Sequence, residues 1–185
     1  IYVLSTVPYY KGTTNNLLYC AQKCNLNKDY DGAISIYRKL ISLQPANNSY
    51  YLPLALVYES KNQIDSVIII TNRLLAKEPL NASALGKLGE MYGKHLNNYD
   101  KSLDYLSKAY SISPKDLPLL ENLGIVYGLK KNFEKSMEYF NKAIAVKPDN
   151  PQIYMNMAGT YFNMGNKQKA DEYRAKAEKL LKAKK

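Results

Sequence analysis

The chain has one histidine and two cysteines in 185 residues, and no run of about eighteen apolar residues. Each scarcity excludes something. A lone His95 rules out most zinc sites built from histidines and would leave any Ser/His/Asp triad resting on one side chain. Its place near a break in the periodic pattern marks it as a turn residue. Cys20 and Cys24 lie four apart in a helical pattern, where side chains stack without the geometry of an unstrained disulfide, so two buried thiols are expected. The sequence shows no membrane-helix pattern, no basic-then-apolar leader and no Gly-rich phosphate loop. Acids, bases and nucleophiles form no cluster with catalytic spacing. No catalytic residue, cofactor or metal site is expected, and the chain reads as no enzyme. It starts at Ile1, which leaves room for an upstream domain or anchor. Compartment, cytoplasmic or extracytoplasmic, and oligomeric state stay open.

What is present is a period. With 46% hydrophobic and 23% charged residues, the chain has material for a core. Pro45, Pro79, Pro114 and Pro148 recur at intervals of 34, 35 and 34 residues. Cys24, Tyr58, Tyr92, Tyr127 and Tyr161 share one register position, and the small residues Ala33, Val67, Ser102, Ser136 and Ala170 another. Leu40, Leu74, Ala109, Ala143 and Ala177 follow seven residues later on the same helical face, as an amphipathic helix requires. Each first helix is preceded by a side chain able to cap it: Thr13, Asn47, Asn81, Asp116 and Asn150. Before the second helices stand Asp29, Asn98, Asn132 and Asn166, with Gln63 the exception. The spacing predicts helix pairs at 15–27 and 30–43, 48–61 and 64–77, 82–95 and 99–112, 117–130 and 133–146, and 151–164 and 167–183. The third repeat carries one extra residue, placed in the turn from His95 to Asn98.

These residues resemble the tetratricopeptide repeat signature, clearest in the fourth copy as Leu120, Leu123, Gly124, Tyr127, Ser136, Phe140, Ala143 and Pro148. The resemblance covers 14–47, 48–81, 82–116, 117–150 and 151–185, leaving residues 1–13 off register. It implies an all-α fold, a right-handed α-solenoid of stacked antiparallel helix pairs. The fifth copy departs most, with Arg174, Lys167 and Lys182 at places that are aromatic, apolar and proline elsewhere. A terminal repeat facing water departs in this way. Residues 1–13 read as an extended segment packing on the first pair or the stub of something upstream.

Eighteen tyrosines and a net charge of +10 raise a third reading, nucleic-acid or anionic-surface binding through a lysine ridge. The register argues against it, because most tyrosines fall on packing positions. Lys39, Arg73, Lys108, Lys142 and Lys176 form one row and Lys101, Lys135 and Lys169 another. Asp104, Glu138 and Glu172 sit four residues before the lysines of the first row in the last three repeats, so ion pairs should neutralise them locally. Asn47 and Asn81 begin Asn-X-Ser triplets, which capping explains. Gly89, Gly124 and Gly128 mark close helix contacts.

The family resemblance further implies that first helices line a concave groove. Carried onto this sequence, the groove positions that would hold a peptide or protein partner are Leu18, Gln22, Leu52, Leu56, Glu59, Glu90, Ile125, Leu129, Met155, Phe162 and Asn163, with glycines in the floor. Some family members clamp the C-terminal carboxylates of chaperones with basic and amide side chains. Leu18, Gln22, Leu52 and Leu56 occupy those places here, which disfavours that ligand. A protein-binding scaffold is the expected function, and a noncatalytic accessory domain of a larger enzyme or membrane assembly the alternative.

Overall fold

The computed structural model describes residues 14–183, all helix and turn. The expected cap Thr13 and the segment 1–13 lie outside them. The chain divides into two compact units, 1–79 and 80–185. The first contains α1 (Thr14–Leu26), α2 (Tyr30–Leu43), a single 3-10 turn (Asn48–Tyr50), α3 (Tyr51–Ser60) and α4 (Ile64–Lys77). The second contains α5 (Ala82–Lys94), α6 (Tyr99–Ile112), α7 (Leu117–Leu129), α8 (Phe133–Val146), α9 (Pro151–Asn163) and α10 (Lys167–Lys182). Five helix pairs result, with boundaries close to those the spacing predicts. The one internal difference is α3, which begins as a 3-10 turn.

The caps are as the sequence implies. Asp29, Asn81, Asn98, Asp116, Asn132 and Asn166 each accept a hydrogen bond from the backbone amide three residues on. Asn47 and Asn150 accept from the amide two residues on, and Gln63 makes no such bond. A feature the period did not disclose lies beside them. Lys28, Asn62, Asn97, Lys131 and Gly165, one per turn within a pair, have φ between 51° and 76°. A left-handed residue after a helix lets the next amide reach back to an orphan carbonyl. Here Asn98, Asn132 and Asn166 donate their amides to the carbonyls of Tyr92, Tyr127 and Tyr161 at 2.9 Å. The same asparagine thus closes one helix and opens the next. The extra residue of the third repeat sits in this turn, with His95 the C-cap of α5.

Each pair closes on a small residue. Gly89 and Gly124 bring first helices against their partners so tightly that a Cβ would fall 2.5 Å from Leu106 or 2.6 Å from Phe140. Ser102 and Ser136 lie fully buried opposite them and donate to the Gly89 and Gly124 carbonyls at 2.6 and 2.7 Å. Between pairs, Leu120 and Phe140 pack with Ile153, Tyr154 and Met157 into one core cluster. Cys20 and Cys24 are unbridged and half-buried rather than buried, because α1 buries the Leu17–Ala21 stripe and the cysteines flank it. Desolvation raises the Cys24 pKa, and the carboxylate of Asp29 adds to the rise.

Two glycines should respond oppositely to alanine. Gly124→Ala drives a Cβ into the buried Phe140 ring and should destabilise the protein by about 1–3 kcal/mol. Gly159→Ala, with nothing within 4 Å of the added carbon, should stabilise it by about 0.5–1 kcal/mol. Urea unfolding of both variants checks the pair.

Candidate functional site

In the second unit α5 packs on α7 and α7 on α9, while α6 and α8 each pack on the first helix of the next pair. The first helices therefore lie side by side on one face. Their outward residues are unpartnered apolar side chains: Ile125 is 37%, Leu129 45%, Met155 39% and Phe162 63% exposed. Asn163 is exposed beside them. Large apolar side chains gathered on one face, above helices whose other sides are buried, are the composition of a contact surface.

The polar groups there are tethered. Glu90 lies 2.6 Å from the Lys87 ammonium and 3.9 Å from that of Lys94, so its charge is balanced locally. Glu121 accepts a 2.9 Å hydrogen bond from Asn150 Nδ2, whose Oδ1 caps α9. Burial raises the Glu121 pKa, and the Asn150 bond and Lys147 act in the opposite direction. The expected glycine floor is only partly available. Gly86, Gly93 and Gly128 are buried against Leu119, Ser102 and Ser136, and Gly159 alone among these opens to solvent.

In the first unit, Leu56 is 48% exposed on α3, Leu52 and Glu59 are half-buried, and on α1 Leu18 is half-buried and Gln22 exposed. A separate cleft of about 550 Å³ opens between α2 and α4 over α3, with Arg38 and Arg73 among its lining residues. The groove pattern did not mark it. Its signal in the sequence is Ile69, standing where Asp104, Glu138 and Glu172 stand in later repeats.

The lysine rows are more engaged than a solvated ridge. Lys108 pairs with Asp104 at 2.8 Å and Lys142 with Glu138 at 2.6 Å, as expected. The third expected pair does not form: Lys176 sits 4.5 Å from the centroid of the Tyr154 ring instead of on Glu172. The other row caps tyrosines, with Lys101, Lys135 and Lys169 over Tyr92, Tyr127 and Tyr161 at 4.6, 5.2 and 5.1 Å. Those rings stack on Tyr105, Tyr139 and Tyr173 at centroid distances of 5.6, 5.5 and 5.3 Å. Their faces are thus occupied within the protein. Among the described residues, no three His, Cys, Asp or Glu side chains cluster to hold a metal, and no helix is long and apolar enough to cross a membrane.

Comparison with known families decides the class. Sequence profiles of the tetratricopeptide repeat match residues 25–47, 82–116, 119–150 and 151–180. The chain belongs to the tetratricopeptide repeat family. A tetratricopeptide repeat protein from Parabacteroides merdae ATCC 43184 has the same fold, with a TM-score of 0.80 at 21% identity over 94% of this chain and 67% of that one. Protein O-mannosyl-transferase TMTC1 of Homo sapiens is 30% identical over 99 residues, 54% of this chain and 11% of that protein. BBSome complex member bbs-4 of Caenorhabditis elegans is 27% identical over 109 residues, 59% of this chain and 23% of that protein. The chain therefore spans only a tenth to a quarter of the length of these two relatives. The tetratricopeptide repeats support a protein-interaction scaffold in general terms.

The raised Glu121 pKa has a consequence for stability. A group whose folded pKa exceeds its unfolded one favours folding below the unfolded pKa and loses that contribution as pH rises through the folded value. Glu121→Gln does not titrate and retains an acceptor for Asn150. Relative to the parent it should gain stability as pH rises from 3 through the carboxylate range to 7, a trend that urea unfolding at several pH values measures.

Proposed function

We propose that this chain is a noncatalytic scaffold whose first-helix face binds a protein or peptide through apolar side chains. The observation that supports this most is the set Ile125, Leu129, Met155 and Phe162, solvent-exposed on the adjacent helices α7 and α9 of one compact unit. An apolar strip edged by Glu121 and Asn163 suits a guest that inserts aliphatic or aromatic side chains and offers amides or hydroxyls between them. A few anchors would dominate the affinity. The same reading gives Leu56, Leu52 and Leu18, flanked by Gln22 and Glu59, a corresponding role on the first unit. Nucleic acid is a poorer guest, since Lys101, Lys108, Lys135, Lys142 and Lys169 on the second helices of the later repeats are held by carboxylates or tyrosine rings.

A second reading draws on the relatives. Both are much longer than this chain, and one is named as a transferase and the other as a member of a complex. That favours a role as a noncatalytic accessory region of a larger protein or assembly. The open reading frame surrounding this segment tests it directly.

For the leading reading, Ile125→Lys combined with Met155→Lys should weaken a bound protein partner at least about tenfold while circular dichroism stays unchanged. Calorimetry with the partner checks this. Undiminished binding by the folded double variant rejects the first-helix face, and binding to oligonucleotides that falls steeply with salt would favour the lysine rows.

A further inference from the structure

The repeat register explains why the cleft of the first unit exists. A shift of 69 residues carries α2 onto α6 and α4 onto α8, so corresponding positions can be compared. In the later pair, Tyr110 of α6 and Tyr139 of α8 meet edge to face at 5.5 Å, and the Lys142 ammonium lies over both rings at 5.4 and 4.8 Å. Glu138 neutralises that lysine at 2.6 Å. Rings, cation and carboxylate together occupy the space between the second helices.

In the earlier pair every one of those groups is changed. Ile41 and Ile70 replace the two tyrosines, Arg73 replaces Lys142, Ile69 replaces Glu138, and Arg38 replaces Ser107. The smaller aliphatic chains leave open a volume of about 550 Å³, floored by Tyr51, Leu54 and Tyr58 of α3. The carboxylate is gone and a second guanidinium is added, with no acidic residue in the lining. Arg38 is held 5.8 Å over the Tyr58 ring. Neither Arg38 nor Arg73 has a carboxylate partner among the described residues, whereas Arg174 pairs with Asp171 at 2.8 Å. Ile69 stands 53% exposed on the same wall.

We propose that this cleft, on the second-helix side of the first unit, binds a peptide segment in which an aliphatic side chain is flanked by carboxylates. The aliphatic group would enter between Ile69, Ile70 and Tyr58, and the carboxylates would meet Arg38 on one wall and Arg73 on the other. Guanidinium groups match a carboxylate in two parallel hydrogen bonds, which an ammonium cannot do. The volume falls within the range of small-ligand pockets and holds side chains rather than a bilayer surface. The chain's own residues 1–13 contain Lys11 and no acidic side chain, so they lack the charge this site complements. The site is independent of the first-helix face proposed above.

The probe is a fluorescein-labelled peptide alternating aspartate and leucine, titrated into the full chain and followed by anisotropy, with two controls. One replaces aspartate by alanine and the other leucine by glycine. The key variant is Ile69→Glu, which places a carboxylate four residues before Arg73 as Glu138 stands before Lys142, at an exposed position where folding is not at risk. Binding of the probe should weaken at least about tenfold in Ile69→Glu and in Arg38→Ala, and for either control peptide. Ile125→Lys should leave it unchanged, which separates this site from the first-helix face. Equal binding of the alanine peptide, unaltered affinity in Ile69→Glu, no binding of the probe, or a preference for phosphatidylserine vesicles over the probe would each overturn the proposal.

Discussion

Everything in this molecule depends on how closely two helices of a pair can approach. Where Gly124 faces Phe140, the missing Cβ lets the ring lie flush on the neighbouring backbone, and Ser136 ties the gap by donating to the Gly124 carbonyl. The Gly89–Ser102 contact repeats the arrangement. Dispersion and burial fall off steeply with separation, so a pair held this tightly gains contacts along its whole length. Close pairing also fixes which residues cannot be buried. Once the small side of a first helix is committed to its partner and its flanks to adjacent helices, Ile125, Met155 and Phe162 face outward.

The asparagine turns do for direction what the glycines do for distance. One residue with positive φ ends the first helix, and the next caps the second through its side chain while returning its amide to the tyrosine-position carbonyl. Four of the five turns accept this geometry without glycine at the left-handed position. The helix ends at the asparagine turns are therefore satisfied locally, and those turns need no distant contact to set the reversal of the chain.

Much of this was legible in the sequence, because the period repeats the physical demand at each copy. Tyr127, Ser136 and Phe140 identify the fourth pair by size alternation alone, and Asn132 marks its turn. The tetratricopeptide pattern also placed the exposed apolar residues of α7 and α9. What escaped the period were its departures. Lys28 and Lys131 carry no signal for a left-handed turn, since the strain is offset by backbone hydrogen bonds that a pattern does not reveal. Lys176 lies over the Tyr154 ring and not on Glu172, a placement the charge spacing does not reveal. The cleft beside Arg38 and Arg73 goes with isoleucines at the places of two tyrosines and a glutamate, a change the sequence carries at Ile41, Ile69 and Ile70, but the open volume between α2 and α4 is seen only in the packing.

These departures divide the surface by chemistry. On the second helices of the later repeats, cations are absorbed by tyrosines and carboxylates. On the first helices α7 and α9, Ile125, Leu129, Met155 and Phe162 stay exposed. The most direct measurement is site-specific photocrosslinking of the chain in its native cells. A photoreactive residue at position 125, on the first-helix face, should capture a protein that the same group at position 111, on α6, does not. Equal capture at the two positions, or capture at 111 alone, would contradict the assignment of the binding face.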